Sequence, residues 1–280
     1  MTQPDREKGR GRKVIPSPVK ELALQHGMIP LQPEKVREEA FQGDIKALQP
    51  ELIVVTAFGQ ILPKSILKIP TYGAVNVHAS LLPKYRGAAP IVWALLRGEK
   101  LTGVTTMLMD EGMDTGDMLL QRELSIGDED TGEALHDRLA LLGARLLMET
   151  VEKMKVGNIH PIPQDHSKAT YAPPLKKEDG HIDWWKGAKE IDLQVRAFNP
   201  WPGAFTELDG RLLKVFRGEV REGKSAGKAG AVVWVGSDFI EVETGKDSFL
   251  IKEVQLEGKR RMSVRDFLAG HSVSAGTVFK

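Results

Sequence analysis

Cysteine is absent from the 280 residues, which removes disulfides, thiolate zinc sites, iron–sulfur clusters and a cysteine nucleophile at once. An excess of charge of either sign is also missing. The 39 Lys plus Arg stand against 38 Asp plus Glu, a net charge of +1, so there is no uniformly basic coat and any polyanion must find a local patch. No uninterrupted apolar run approaches the roughly 18 residues of a membrane helix, and the charged N-terminus lacks the apolar core of a signal peptide. Together these absences read as a cytoplasmic protein in a reducing compartment. What is present is an ordinary globular composition. At about 150 residues per domain the length suggests two domains, and 41% apolar residues supply a core for each.

Charge is distributed unevenly. Residues 1 to 20 carry Arg6, Lys8, Arg10, Arg12, Lys13 and Lys20 against Asp5 and Glu7, in a Gly- and Pro-containing stretch that reads as a mobile basic loop. A second basic stretch covers residues 211 to 228, and residues 101 to 150 between them are acidic. Such runs also occur as plain solvated faces.

The first half alternates helix and strand signals. Helices are expected over Val19–His26 behind a Ser17-Pro18 cap, over 34–48, over Pro90–Leu96 and over Thr131–Met154. Strands are expected at Met28–Leu31, Leu52–Ala57, Ala74–His78, Val104–Met109 and Met118–Leu124. The β-branched run at 52–57 is of the kind buried on both faces in a parallel sheet. From 157 to 174 periodicity stops among prolines, which is linker composition. Beyond it lie a helix at Glu190–Phe198 and strands at Phe205–Leu208, Leu212–Phe216, Ala231–Val235, Phe239–Val242 and Phe249–Val254, suggesting a small barrel. The expected domains are 1–156, a linker at 157–172, and 173–280.

The usual cofactor signatures are read as absent: no phosphate loop, no His-Glu-x-x-His, and Gly9-Arg10-Gly11 followed by Val14 where a dinucleotide fingerprint needs a third glycine. Chemistry concentrates instead at Asn76-Val77-His78-Ala79-Ser80-Leu81-Leu82-Pro83, where a strand ends, as ligand sites in open α/β sheets do. Asn76 and His78 are two residues apart in a strand and leave the same face. An imidazole that moves a proton near neutral pH, beside an amide that steadies an oxyanion, suits acyl chemistry. The acidic loop Asp110 to Asp117 follows another strand end and could supply a carboxylate to orient His78. The bland alternative makes Asn76 a turn residue, His78 a satisfied core imidazole and the acids a solvated connection. A metal site built from His78, Asp110, Asp114 and Asp117 is weaker, because one histidine and acids on one loop lack the usual ligand clusters.

At these residues the sequence resembles the methionyl-tRNA formyltransferase family. The matches are His78-Ala79-Ser80-Leu81-Leu82-Pro83 with Arg86-Gly87-Ala88-Ala89-Pro90, then Met109-Asp110 with Gly112-Met113-Asp114-Thr115-Gly116-Asp117, and Arg196-Ala197-Phe198-Asn199-Pro200-Trp201-Pro202. A fourth is Thr2-Gln3-Pro4-Asp5-Arg6 with Gly9-Arg10-Gly11-Arg12-Lys13 and Pro16-Ser17-Pro18-Val19-Lys20. The resemblance implies a Rossmann-like α/β formyltransferase domain, a linker, and a C-terminal domain similar to an OB fold. It implies formyl transfer from 10-formyltetrahydrofolate to the α-amine of methionyl initiator tRNA, with no metal and no covalent intermediate. Asn76, His78 and Asp114 become the catalytic trio by that analogy, and Ser80, Leu81, Leu82 and Pro83 contact the folate. Arg10, Arg12 and Lys13 would grip the acceptor end of the tRNA, and Arg211, Lys214, Arg217, Lys259, Arg260 and Arg261 would follow its backbone. A monomer is expected.

Family members place a further strand–helix unit of about thirty residues before the Thr-Gln-Pro-Asp-Arg stretch, with which this sequence opens. The expectation is therefore of a domain lacking its first strand and helix, a fragment or a misplaced start. Competing readings are a 10-formyltetrahydrofolate hydrolase, a formyltransferase acting on a sugar amine, and a non-catalytic RNA-binding module.

Overall fold

A computed structural model describes residues 1–8, 13–223 and 227–280. The chain opens with β1 (Arg6–Lys8) and β2 (Lys13–Ile15), followed by α1 (Pro18–Gln25), α2 (Glu39–Ala47), β3 (Ile53–Val55), α3 (Lys64–Leu67) and β4 (Ala74–His78). Then come β5 (Arg86–Gly87), α4 (Pro90–Leu96), β6 (Leu101–Leu108), β7 (Met118–Ser125) and the long α5 (Gly132–Lys155). The rest is β8 (Tyr171–Ala172), α6 (Ala188–Ala197), β9 (Ala204–Leu208), β10 (Arg211–Arg221), β11 (Val232–Val235), β12 (Ile240–Glu243), β13 (Ser248–Leu256), β14 (Met262–Ser263) and α7 (Val264–Leu268). By compactness the chain forms two units interleaved in sequence: residues 1–78, 105–121 and 143–168, and residues 79–104, 122–142 and 169–280.

In the first unit, the Ser17 side chain caps α1 by accepting from the Lys20 amide, with Pro18 in the first turn. The helix expected over 34–48 begins only at Glu39. Residues 33–36 are held out of it by Gln60, whose Oε1 accepts from the Val36 amide at 3.1 Å while its Nε2 donates to the Pro33 carbonyl at 3.3 Å. Side-chain capture of backbone groups thus overrides helix periodicity. Met28–Leu31 forms no strand, and the expected mobile basic loop is bounded by a short antiparallel ladder, Arg6 against Ile15 and Lys8 against Lys13. Its base is tied by Asp5. That carboxylate accepts from Gln32 at 2.8 Å and from Lys20 at 2.6 Å, and these two bonds, the first more than the second, hold its pKa below the ordinary value.

The sheet order is β3-β4-β6-β7. The sheet is mixed: β3 and β4 are parallel, while β4 and β6 run antiparallel with Val75 opposite Leu108 and His78 opposite Thr105. β3 lies at the edge of the described sheet, so Val54 is 43% exposed, and the expectation of a strand buried on both faces does not hold for it. A helix-side core gathers Val36, Phe41, Ile45, Val55, Leu62 and Ile66. Thr150 of α5 and Thr106 of β6 share a buried hydroxyl bond of 2.8 Å.

In the second unit, the antiparallel order is β11-β12-β13-β10-β9, with β14 added beside β13. The five expected strands are all present. Among the described residues the strand path runs from β11 to β9 without a pairing between those two strands. The C-terminal residues lie along both ends: Phe279 N donates to Gly230 O at 2.8 Å and Val232 N to Thr277 O at 2.7 Å, while Glu207 N donates to Lys280 O at 2.9 Å. The segment expected as a linker ends in a short strand, with Pro173 just beyond it. Its β8 pairs in parallel with β5, and Pro173 O accepts from Trp93 Nε1 at 2.9 Å.

The apolar core of this unit centres on Phe249, Ile251, Leu213, Ile191 and Phe267, all fully buried. Gly218 of β10 exists for Phe249: a Cβ there would meet its ring at 2.1 Å. Phe249→Ala is expected to cost about 3–5 kcal/mol in a denaturant titration, because the cavity cannot collapse against a sheet paired on both sides.

Candidate active site

β4 is the inner strand that carries the site. Pairing with β3 on one side and β6 on the other sets Asn76 opposite Val55 and Met107, and fixes the pleat so that Asn76 and His78 project from one face. His78 is 6% exposed. Its cross-strand partner Thr105 accepts from Gln121 Nε2 at 2.9 Å, so a polar layer stands beside the imidazole.

The carboxylate arrives on the turn between β6 and β7. Asp110 organises that turn from its own side chain, accepting from Gly112 N at 2.9 Å and from Thr115 Oγ1 at 2.7 Å, an Asx-type arrangement. The two glycines of the motif are sterically required. An added methyl at Gly116 would sit 1.8 Å from the Leu108 carbonyl oxygen, and one at Gly112 would sit 2.0 Å from Thr115 Oγ1. Asp114 itself adopts φ +53°, a conformation uncommon for a residue with a side chain. The result is convergence across 38 positions of sequence. Asn76 Nδ2 donates to Asp114 Oδ1 at 3.3 Å, and His78 Nδ1 lies 3.6 Å from Asp114 Oδ2. An amide donor, an imidazole and a carboxylate so arranged can steady a developing oxyanion and hold a proton beside it.

Asp110 is spent on the turn, and Asp117 O accepts from Leu108 N. Ser80 is fully buried and its hydroxyl donates to Lys84 O at 2.6 Å, so it serves the Ser80–Lys84 turn; Ser80, Leu81, Leu82 and Pro83 belong to the second unit. Leu81 lies over Gly103, where a methyl would meet it at 2.6 Å. Arg10 and Arg12 lie outside the described residues, and Lys13 opens β2. Arg217, Lys259 and Arg260 are exposed. Lys214 lies near Gly203, and Arg211 donates to Glu257 O at 3.1 Å. Arg261 is already bound by both oxygens of Glu253 at 2.8 and 2.6 Å and stacked over Phe216 at 4.4 Å.

One feature escapes a sequence reading. Gln164, in the proline-rich stretch, donates to the backbone of the Asp114 turn, and nothing in its local pattern marks it. The string Gly218 to Ser225 does match a phosphate loop, glycine, four residues, glycine, lysine and serine, and corrects the expectation that none is present. Gly218 to Arg221 are strand paired with β13, and the next element described after them is the strand β11, whereas the pattern takes its meaning from a loop that opens a helix.

The model for the formyl transferase family matches residues 1–151, and that for the formyl transferase C-terminal domain matches residues 174–272. The chain belongs to the formyl transferase family. A methionyl-tRNA formyltransferase of Geobacter metallireducens is 52% identical over 276 residues, covering 99% of this formyl transferase and 88% of the relative. One from Caldanaerobacter subterraneus is 51% identical over 281 residues, covering 100% and 91%. Among solved structures, HypX from Aquifex aeolicus in complex with tetrahydrofolic acid is similar at TM-score 0.63 and 20% identity, over 86% of this chain and 44% of that one. A sugar 3N-formyl transferase, WlaRD, is similar at TM-score 0.63 and 18% identity over 91% and 86%. At such identities these two structures speak to the fold.

The glycine constraint gives a direct test of the turn. Gly116→Ala is expected to force the backbone away from Leu108 and displace the Asp114 carboxylate by the order of an ångström, lowering formyl transfer by about 100-fold. Parent-like turnover would show that the turn does not set the site.

Proposed function

We propose that this formyl transferase moves the formyl group of 10-formyltetrahydrofolate onto the α-amine of methionine carried by initiator tRNA. The observation that carries this reading is half-identity, over 99% of the chain, to relatives bearing the name methionyl-tRNA formyltransferase. The trio supplies the chemistry. Asn76 Nδ2 and the His78 ring nitrogen turned away from Asp114 donate to the formyl oxygen as charge develops on it, and Asp114 orients the imidazole. The new bond joins the methionine nitrogen to the formyl carbon, the bond from that carbon to the folate nitrogen breaks, and the proton lost by the amine ends on the departing nitrogen. The donor set fits this work: one neutral amide and one imidazole suit an oxyanion without a fixed cation.

The division into a Rossmann-like catalytic domain at 1–156, a linker at 157–172 and a C-terminal domain at 173–280 is supported by the ranges of the two family models. An OB-like barrel for the latter is supported by the C-terminal residues, which bond to both open ends of the strand path. Ser80, Leu81, Leu82 and Pro83 are assigned to the folate. Arg10, Arg12, Lys13, Arg211, Lys214, Arg217, Lys259, Arg260 and Arg261 are assigned to the tRNA, with Arg261 the weakest because Glu253 neutralises it. Among the described residues no helix is long and apolar enough to cross a membrane. A folate and an initiator tRNA as substrates support a cytoplasmic location, and a monomer is the form proposed.

His78→Ala and Asp114→Asn are expected to remove most turnover while tRNA binding stays close to the parent's, and Asn76→Ala to lower kcat by about 100- to 1000-fold. Formyl transfer to methionyl-tRNA is measured against transfer to a sugar amine and to water. Preference for either alternative acceptor would overturn the assignment. Arg10→Ala is expected to raise the KM for tRNA and to reduce the slope of log affinity against log salt by about 1, with folate affinity unchanged. Equal slopes for parent and variant would remove Arg10 from the tRNA contacts.

A further inference from the structure

Asp114 sits at φ +53°, so the surrounding structure must impose the conformation that aims its carboxylate. On the exposed side of the turn Asp110 does this through Gly112 and Thr115. On the inner side the holder is Gln164. Its Nε2 donates to Asp114 O at 2.9 Å and to Gly116 O at 2.7 Å, so one nitrogen uses both of its hydrogens on the two carbonyls that flank Thr115. Gln164 is itself 6% exposed and fixed from both sides. Two residues before it, Ile162 and Met118 exchange backbone bonds of 2.9 and 2.8 Å. The next residue, Asp165, accepts from the Ser167 amide at 3.1 Å and from its hydroxyl at 2.6 Å.

We propose that Gln164 is a positioning residue for formyl transfer: its carboxamide sets the separation of the Asp114 and Gly116 carbonyls and, through that turn, the place where the Asp114 carboxylate meets His78 and Asn76. The inference rests on Asp114 being the carboxylate that serves His78. The two bonds reach the turn through the carbonyls of Asp114 and Gly116, so the effect on turnover passes through Asp114, which separates Gln164 from a residue that merely stabilises the fold.

The test uses the full 280-residue chain with Gln164→Leu and Gln164→Met, which keep an apolar stem of similar length and lose the donor. Each is expected to lower kcat by about 100-fold while the KM values for folate and tRNA stay within about threefold. Amide chemical-shift changes are expected to concentrate at residues 110–118 and at 76–78. Both variants leave carbonyls without a donor and are expected to melt lower than the parent, so kinetics are read well below the lower midpoint. Having two side chains guards against one that fails to fold. In an Asp114→Asn background either replacement is expected to cost less than about threefold more, because the group it positions is already gone. Losses that multiply in the double variant, or a parent-like kcat in a folded single variant, would overturn the proposal. If Asp114→Asn alone keeps full turnover, the assignment of Asp114 falls and the proposal falls with it. If Asp114→Asn is inactive and the Gln164 variants are not, only the proposal falls.

Discussion

A carboxylate carried on a left-handed backbone governs the architecture of the site. For a residue other than glycine that conformation costs on the order of 1–3 kcal/mol, and Asp114 adopts it at φ +53°. The neighbouring glycines are the complement of this strain. Gly116 lets the chain pass against the Leu108 carbonyl, and Gly112 leaves room for the Thr115 hydroxyl. The Met-Asp-Glu-Gly-Met-Asp-Thr-Gly-Asp stretch is thus a single mechanical part in which Asp110, Thr115 and two glycines hold one side chain in place.

That part works only because β4 is rigid. An inner strand with partners on both edges cannot slip by one residue without turning Asn76 and His78 to the opposite face, and its pairing with β3 and β6 fixes the register. Thr105, buried opposite His78 and bonded to Gln121, keeps polar side chains beside the imidazole without adding charge. The separation of labour is clear: the sheet fixes two of the three groups, and a strained turn brings the third to them.

What was legible in the sequence follows from this division. The strand at Ala74–His78 and the helix at Pro90–Leu96 are found where periodicity, β-branching and an N-terminal proline place them, because local preference and tertiary packing agree there. The same holds for the run of strands from Ala204 onward. Residues 33–36 were illegible because the Gln60 carboxamide, more than twenty positions away, decides their conformation. Met28–Leu31 is apolar enough for a strand but finds no ladder. Val54 reads as doubly buried and is not, since burial depends on what lies beside the strand. The trio was legible as types at strand ends, while its convergence depends on a positive φ at Asp114 that no spacing rule reveals. Gln164 was invisible because its role is a pair of bonds to backbone carbonyls, for which a polar residue among prolines gives no pattern.

The choice of a carboxamide at position 164 has an electrostatic reason. A lysine or arginine could also donate to two carbonyls, but it would put a cation next to Asp114 and compete with His78 for the carboxylate. A neutral donor fixes the turn without adding a charge beside Asp114. The second unit uses the same solution where no chemistry is at stake: Gln194, also buried, donates from Nε2 to Asp179 O at 3.0 Å and to His181 O at 2.9 Å, tying the approach to β9 against α6. There its Oε1 has no partner, a cost of roughly 1–3 kcal/mol in lost hydration. That a buried acceptor is left unpaired at Gln194 shows how strongly two backbone carbonyls demand a donor, and the Asp114 turn, with strain of its own to offset, has the greater need.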